Sequence, residues 1–178
     1  SAFPQSIQGV QNFSSYAHAF DQVTSDALGG EGKAYELAAN YFAFGVQPEV
    51  KASALQNVRD NLKAFQKSSG FDKADDQVIW HLVDGPLQLL TRYILEQGSC
   101  SVQSDWEKDV LWKTQMAVST QETTEQLFGD KGSVWTFTDK SAKPFLQQQS
   151  SSFTIATKNG ETFPFDPGFI PFLNQSVS

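Results

Sequence analysis

Apolar residues recur at intervals of three and four along most of this chain, which predicts helices. Ile7, Val10, Phe13, Ala17, Phe20 and Val23 mark a first amphipathic helix that starts just after Pro4 and ends at Gly29-Gly30. Tyr35, Ala38, Tyr41 and Phe42 mark a second, over residues 32–44, with Gly45 as its C-terminal stop. Pro48 suits a first helical position, and Val50, Ala54, Leu55, Val58, Leu62 and Phe65 carry a third helix on to Gly70. The most apolar stretch runs from Val78 to Trp112. Leu87, Leu90, Ile94 and Leu95 form its stripe there, widened by Leu89 and Tyr93, as expected for a helix surrounded by others. Three interruptions are predicted within it: a break at Gly85-Pro86, a turn after Gly98, and a new start at Ser104, whose Glu107 three residues on completes a capping-box signature. Trp80, Leu90, Ile94, Trp106 and Val110 are the predicted centre of the core.

The C-terminal quarter has a different rhythm. Residues 119–126 are polar, a continuing helix or a loop, and a short helix is predicted over Ser133 to Lys143, stopped by Pro144. Gln147 to Ser152 reads as a polar linker. Residues 153–157 and 162–165 then alternate apolar and polar around Asn159-Gly160, a strong hairpin signal, with Pro164 confining the second strand to an edge. Asp166-Pro167 opens a last helix through Ile170 and Leu173, too short to stand unless Phe169, Ile170, Phe172 and Leu173 dock. The expected fold is therefore mainly α, a bundle of about seven or eight helices with one small C-terminal hairpin. The expected organisation is a helical subdomain over 1–150, followed over 151–178 by the hairpin and the start of a helix.

Composition narrows the function. The 178 residues are 39% hydrophobic and 13% aromatic, a globular balance in a chain long enough to fold without a disulfide or metal. A formal net charge of −7 argues against nucleic-acid and acidic-membrane binding, both of which need clustered Lys and Arg. Cys100 is the single cysteine, so an internal disulfide is impossible and the redox compartment stays open.

Candidate chemistry is sparse. Cys100, in a predicted turn, has no local base or electropositive neighbour to make it a nucleophile. His81 and Asp84 are spaced like a base and its orienter, but a histidine flanked by Trp80 and Leu82 reads more readily as a partly buried structural residue with one local partner. His18 has no acidic residue at a suggestive spacing. Asp72, Asp75 and Asp76 lack the ligand alternation of an EF-hand and suit a helix cap. Gly129-Asp130-Lys131-Gly132 lacks the Gly-Lys-Ser/Thr ending of a phosphate loop and suits a turn between helices. Trp80, Trp106, Trp112 and Trp135 are either core or the lining of a ligand pocket. No catalytic, metal or cofactor residue is expected. The alternatives to a scaffold are a small hydrolase using His81 with Asp84 or Cys100, and a helical ligand-binding domain.

One stretch points to a family. Leu127-Phe128-Gly129-Asp130-Lys131-Gly132-Ser133-Val134-Trp135-Thr136-Phe137, followed by Lys143-Pro144-Phe145-Leu146, resembles the C-terminal region of TssM/IcmF proteins, where a Phe-Phe-Gly-x-x-Gly turn leads into a short aromatic helix and a Pro-Phe-Val/Leu pair. Trp106 with Val110 is similar to that family's Trp-x-x-x-Val helix start. Asp84-Gly85-Pro86 resembles its apolar helix broken near a proline, and residues 165–173 resemble its helix after a hairpin. The resemblance covers roughly residues 55–173 in order. The family's Arg-Tyr-Pro-Phe segment is missing between Lys113 and Gln126, which are closer together here. What the resemblance implies is a structural, non-enzymatic component of the type VI secretion membrane complex. It would lie in the periplasmic part of an inner-membrane anchored protein, with other copies of itself, inner-membrane components and the outer-membrane lipoprotein TssJ as partners. On that reading this is the helical subdomain, Ser178 is a boundary, and a β-rich subdomain that can carry the TssJ contact follows.

Overall fold

The computed structural model describes residues 3–70, 77–116 and 119–177. The Asp72, Asp75, Asp76 cluster and Ser178 lie outside them. The fold is mainly helical with a small C-terminal β-structure, as expected. In order come α1 (Phe3–Ala27), α2 (Lys33–Ala43), α3 (Ala54–Ser69), α4 (Gln77–Trp106), α5 (Trp112–Met116), α6 (Thr120–Phe128), α7 (Ser133–Phe137) and α8 (Phe169–Val177). The strands β1 (Leu146–Gln149), β2 (Ser152–Ile155), β3 (Thr157–Lys158) and β4 (Glu161–Thr162) fall between α7 and α8. Among the described residues six helices reach nine residues, slightly fewer than the seven or eight predicted.

The shortfall comes from α4, a single 30-residue helix where three were predicted. Pro86 lies inside it, on its exposed side, as does Leu82 one turn earlier. The carbonyl that proline leaves without an amide partner is therefore the one on Leu82, on the side open to water, so the usual cost of an interior proline is reduced. Gly98 is buried inside the helix rather than ending it. Ser104 is an exposed mid-helix residue and not a cap. At Glu107–Leu111 the helix widens into a π-turn before α5 takes over.

The chain forms two compact units that divide within α4, residues 1–95 and 96–178. The predicted core centre is thereby split: Leu90 and Ile94 are buried in the first unit, Val110 in the second. Trp80 and Trp106 are only half-buried.

In the first unit α1 packs along α3, with the Phe13 and Phe65 rings 5.2 Å apart and Asn12 Nδ2 donating to Ser68 Oγ at 3.0 Å. The fully buried Tyr41 of α2 lies under the Arg59 guanidinium, 5.5 Å from the ring centroid, a cation–π contact. α3 starts six residues later than Pro48 suggested. The Ser53 hydroxyl accepts from the Gln56 amide at 3.2 Å, satisfying a donor that the helix start leaves free. Tyr16, 6% exposed, donates its hydroxyl to the Val83 carbonyl at 3.2 Å, in the turn of α4 just before Pro86. A side-chain donor is thus supplied where a proline disturbs the helix's own bonding.

The second unit holds the strands as two antiparallel pairs, β1 with β2 and β3 with β4. Asn159 and Gly160 take φ of 49° and 79° in the β3–β4 turn, as the Asn-Gly signal predicts. The β1–β2 pair corrects the predicted linker. Gln147 and Gln148 are strand residues opposite Thr154 and Phe153, and Ser150 turns the chain at φ 54°. Phe145 and Phe163, both buried, stack with centroids 3.6 Å apart.

Burial raises the Tyr16 pKa above its ordinary 10.0, and the nearby Asp84 raises it further. The folded state therefore keeps this proton to higher pH than the unfolded chain. Its stabilising contribution is complete below pH 10 and is lost as pH rises through the higher folded value. Tyr16→Phe should lower stability near neutrality by about 0.5–1.5 kcal/mol, the usual net worth of one hydrogen bond. It should also flatten the alkaline decline, and urea unfolding of both proteins between neutral and alkaline pH measures the two effects.

Candidate binding cleft

A cleft of about 350 Å³ lies in the second unit between the C-terminal part of α4, α7 and α8. Ser99, Val102, Gln103 and Trp106 line it from one face of α4, and Glu107, the first residue of the π-turn, continues that face, as expected for positions three and four apart. In an uninterrupted α-helix the same face would continue through residue 110. The π-turn inserts one residue, so Leu111 takes that place on the cleft and Val110, 2% exposed, turns into the core.

The facing wall is aromatic. The Trp106 ring meets Phe137, Phe172 and Phe169 edge-on at 5.1, 5.6 and 5.8 Å, and Phe165 stacks on Phe169 at 4.9 Å. These separations are the favoured ones for aromatic pairs. α8 presents Phe169 and Phe172 because Leu173, fully buried, docks behind them. Pro171 sits in the first turn of α8, where its missing amide costs little. The Asp166 carboxylate accepts from the Gly168 amide at 2.7 Å at the entry to α8. Farther along, Asn174 fastens α8 to β2: its side chain accepts from the Phe153 amide at 2.7 Å and donates to the Phe153 carbonyl at 3.0 Å. Ser99 Oγ donates to the Pro164 carbonyl at 2.6 Å, tying α4 to the segment that leads into α8.

A polar clasp joins the end of α4 and its π-turn to a second π-turn, Thr138–Ala142, that follows α7. Lys140 Nζ lies 3.0 Å from Asp109 and 3.7 Å from Asp105, while Ser141 donates to Asp105 at 2.6 Å. The bond to Asp109 is the chief cause of a raised Lys140 pKa.

The candidates read from sequence are dispersed. Cys100 is exposed on α4 and not in a turn, because Gly98 does not interrupt that helix. His81 is exposed, and Asp84 accepts from Gln88 rather than orienting it. His18 is exposed on α1, as read from sequence. Gly129 to Gly132 form the turn between α6 and α7. A Cβ at Gly129 would come within 2.6 Å of the Glu125 carbonyl oxygen, and one at Gly132 would collide with the Leu127 carbonyl, so the tight chain path accounts for both glycines. Of the tryptophans only Trp106 lines the cleft; Trp112 is exposed, and Trp135 donates its indole N–H to the Phe128 carbonyl at 3.2 Å. Phe165, Glu107 and Asp166 were not legible as lining. Their separation along the chain hides a proximity that α8 docking creates.

No protein-family model, curated protein or solved structure matches this chain.

The Asn174 clasp gives a direct expectation. Asn174→Ala removes both bonds to Phe153 and leaves two backbone groups on the edge of β2 without that partner. Stability should fall by about 1–3 kcal/mol, and the Phe153 amide should lose protection in hydrogen-exchange measurements.

Proposed function

We propose that this chain is a scaffold segment of the periplasmic part of a type VI secretion membrane complex, within an inner-membrane anchored TssM/IcmF-type protein that reaches an outer-membrane lipoprotein of the TssJ kind. The observation that carries the reading is how the stretch with the resemblance folds. Its glycine turn leaves no room for side chains, its Trp135 is fixed on the Phe128 carbonyl, and Val134, Phe137 and Phe145 are all buried. The pattern thus falls on residues with a structural reason to be what they are. The upstream Trp106 and Val110 and the downstream Phe169 to Leu173 belong to the same compact unit.

Chemistry elsewhere gives less support to a hydrolase. Among the described residues no hydrogen bond joins His81 to Asp84. Among the same residues no helix is long and apolar enough to cross a membrane, so on this reading the anchor belongs to another part of the protein.

Co-purification with the TssJ-type lipoprotein from the same source tests the proposal. One bait is this chain alone. The other is the chain extended through the β-rich subdomain that the reading expects to follow. Retention of the lipoprotein by the extended bait is the expected result, and the shorter bait reports whether these residues take part. Absence of retention by both would contradict the proposal.

A further inference from the structure

The cleft beside Trp106 carries a charge pattern that its apolar walls do not require. Glu107 and Asp166 are among its lining residues, and no lysine, arginine or histidine is. Each carboxylate accepts a hydrogen bond from a neutral donor, Glu107 from Gln103 Nε2 at 3.0 Å and Asp166 from the Gly168 amide at 2.7 Å. Neither is in an ion pair among the described residues. Asp166 lies at the N-terminal end of α8, where the positive pole of the helix offsets part of its charge. Glu107 has no such compensation.

An uncompensated carboxylate beside aromatic rings favours one class of occupant. Ring faces attract a cation within about 6 Å of the centroid, and a carboxylate on the same lining adds to that attraction. Both effects repel an anion. A neutral apolar molecule gains only from burial. A volume of about 350 Å³ suits a small molecule, since ligand sites run from roughly 300 Å³ upward.

We propose that this cleft binds a small organic cation with an apolar body: an ammonium or guanidinium group carried on an aryl or alkyl chain. The charged end lies against Glu107 and the Trp106 ring, and the apolar body against Phe165, Phe169 and Phe172. This binding activity goes beyond the scaffold reading and does not depend on it.

Calorimetric titration of the intact chain with phenylbutylammonium, neutral phenylbutanol and anionic phenylbutyrate tests the proposal. The ammonium compound should bind at least about tenfold more tightly than the alcohol, with the carboxylate weakest. Its binding should shift the Trp106 indole N–H resonance. Glu107 is exposed, so Glu107→Gln should leave the unfolding midpoint unchanged while removing most of the preference for the cation. Phe172→Ala should weaken the alcohol and the ammonium compound alike. Equal affinity for ammonium and alcohol, a cation preference that survives Glu107→Gln, or no ammonium binding to the folded protein at millimolar concentration would each overturn the proposal.

Discussion

Both compact units draw on α4, so the structure depends on that helix staying whole through two places where its sequence suggests a stop. At Gly85-Pro86 the interruption is absorbed locally. Pro86 and Leu82 face outward, and the Tyr16 hydroxyl supplies a donor to the neighbouring Val83 carbonyl. At Gly98 the missing side chain lies on a buried side of the helix, next to Leu95 and Val102 in the helical stripe. Burial of those neighbours opposes the loss of helix propensity, which for glycine is about 1 kcal/mol relative to alanine.

Continuity of α4 has a consequence for the cleft. Because the chain is helical rather than turned over Ser99 to Trp106, Ser99, Val102, Gln103 and Trp106 fall on one wall. The π-turn then adjusts the phase so that Leu111 extends the wall while Val110 is buried. The opposite wall depends on α8, a nine-residue helix too short to persist by itself. Leu173 burial, the aromatic contacts of Phe169 and Phe172, and the Asn174 bonds to β2 hold it. The cleft thus depends on packing between segments that are distant in sequence.

That dependence explains what could be read from the sequence. The helices α1 to α3 were legible from their apolar spacing, although in α1 the predicted stripe is largely exposed at Ile7, Val10, Phe13 and Ala17 and the buried face is Tyr16, Ala19, Val23 and Ala27; the Asn159-Gly160 turn was legible because its dihedral demand is local. Two Ser-x-x-Glu signatures show where local reading stops. Ser119 does cap α6, accepting from the Glu122 amide at 3.3 Å, whereas Ser104 with Glu107 lies within an unbroken helical run. The motif signals a start only where the preceding backbone is not already helical. β1 escaped notice because Gln147, Gln148 and Gln149 are all exposed, so no apolar alternation marks the strand. The cleft was half legible: Trp106 was a candidate lining residue, but its partners in α7 and α8 come together only through tertiary packing.

The scaffold proposal and the cleft both require a rigid second unit whose first element is the end of α4. Residue-resolved amide hydrogen exchange over 77–111 tests that requirement most directly. The account predicts that the amides from Gln97 to Val102 exchange as slowly as those from Leu90 to Leu95, with faster exchange confined to the turn at Pro86. Exchange at Gly98 to Ser101 as fast as in the loops would show that the helix breaks there, and would contradict both the unbroken α4 and the cleft built on it.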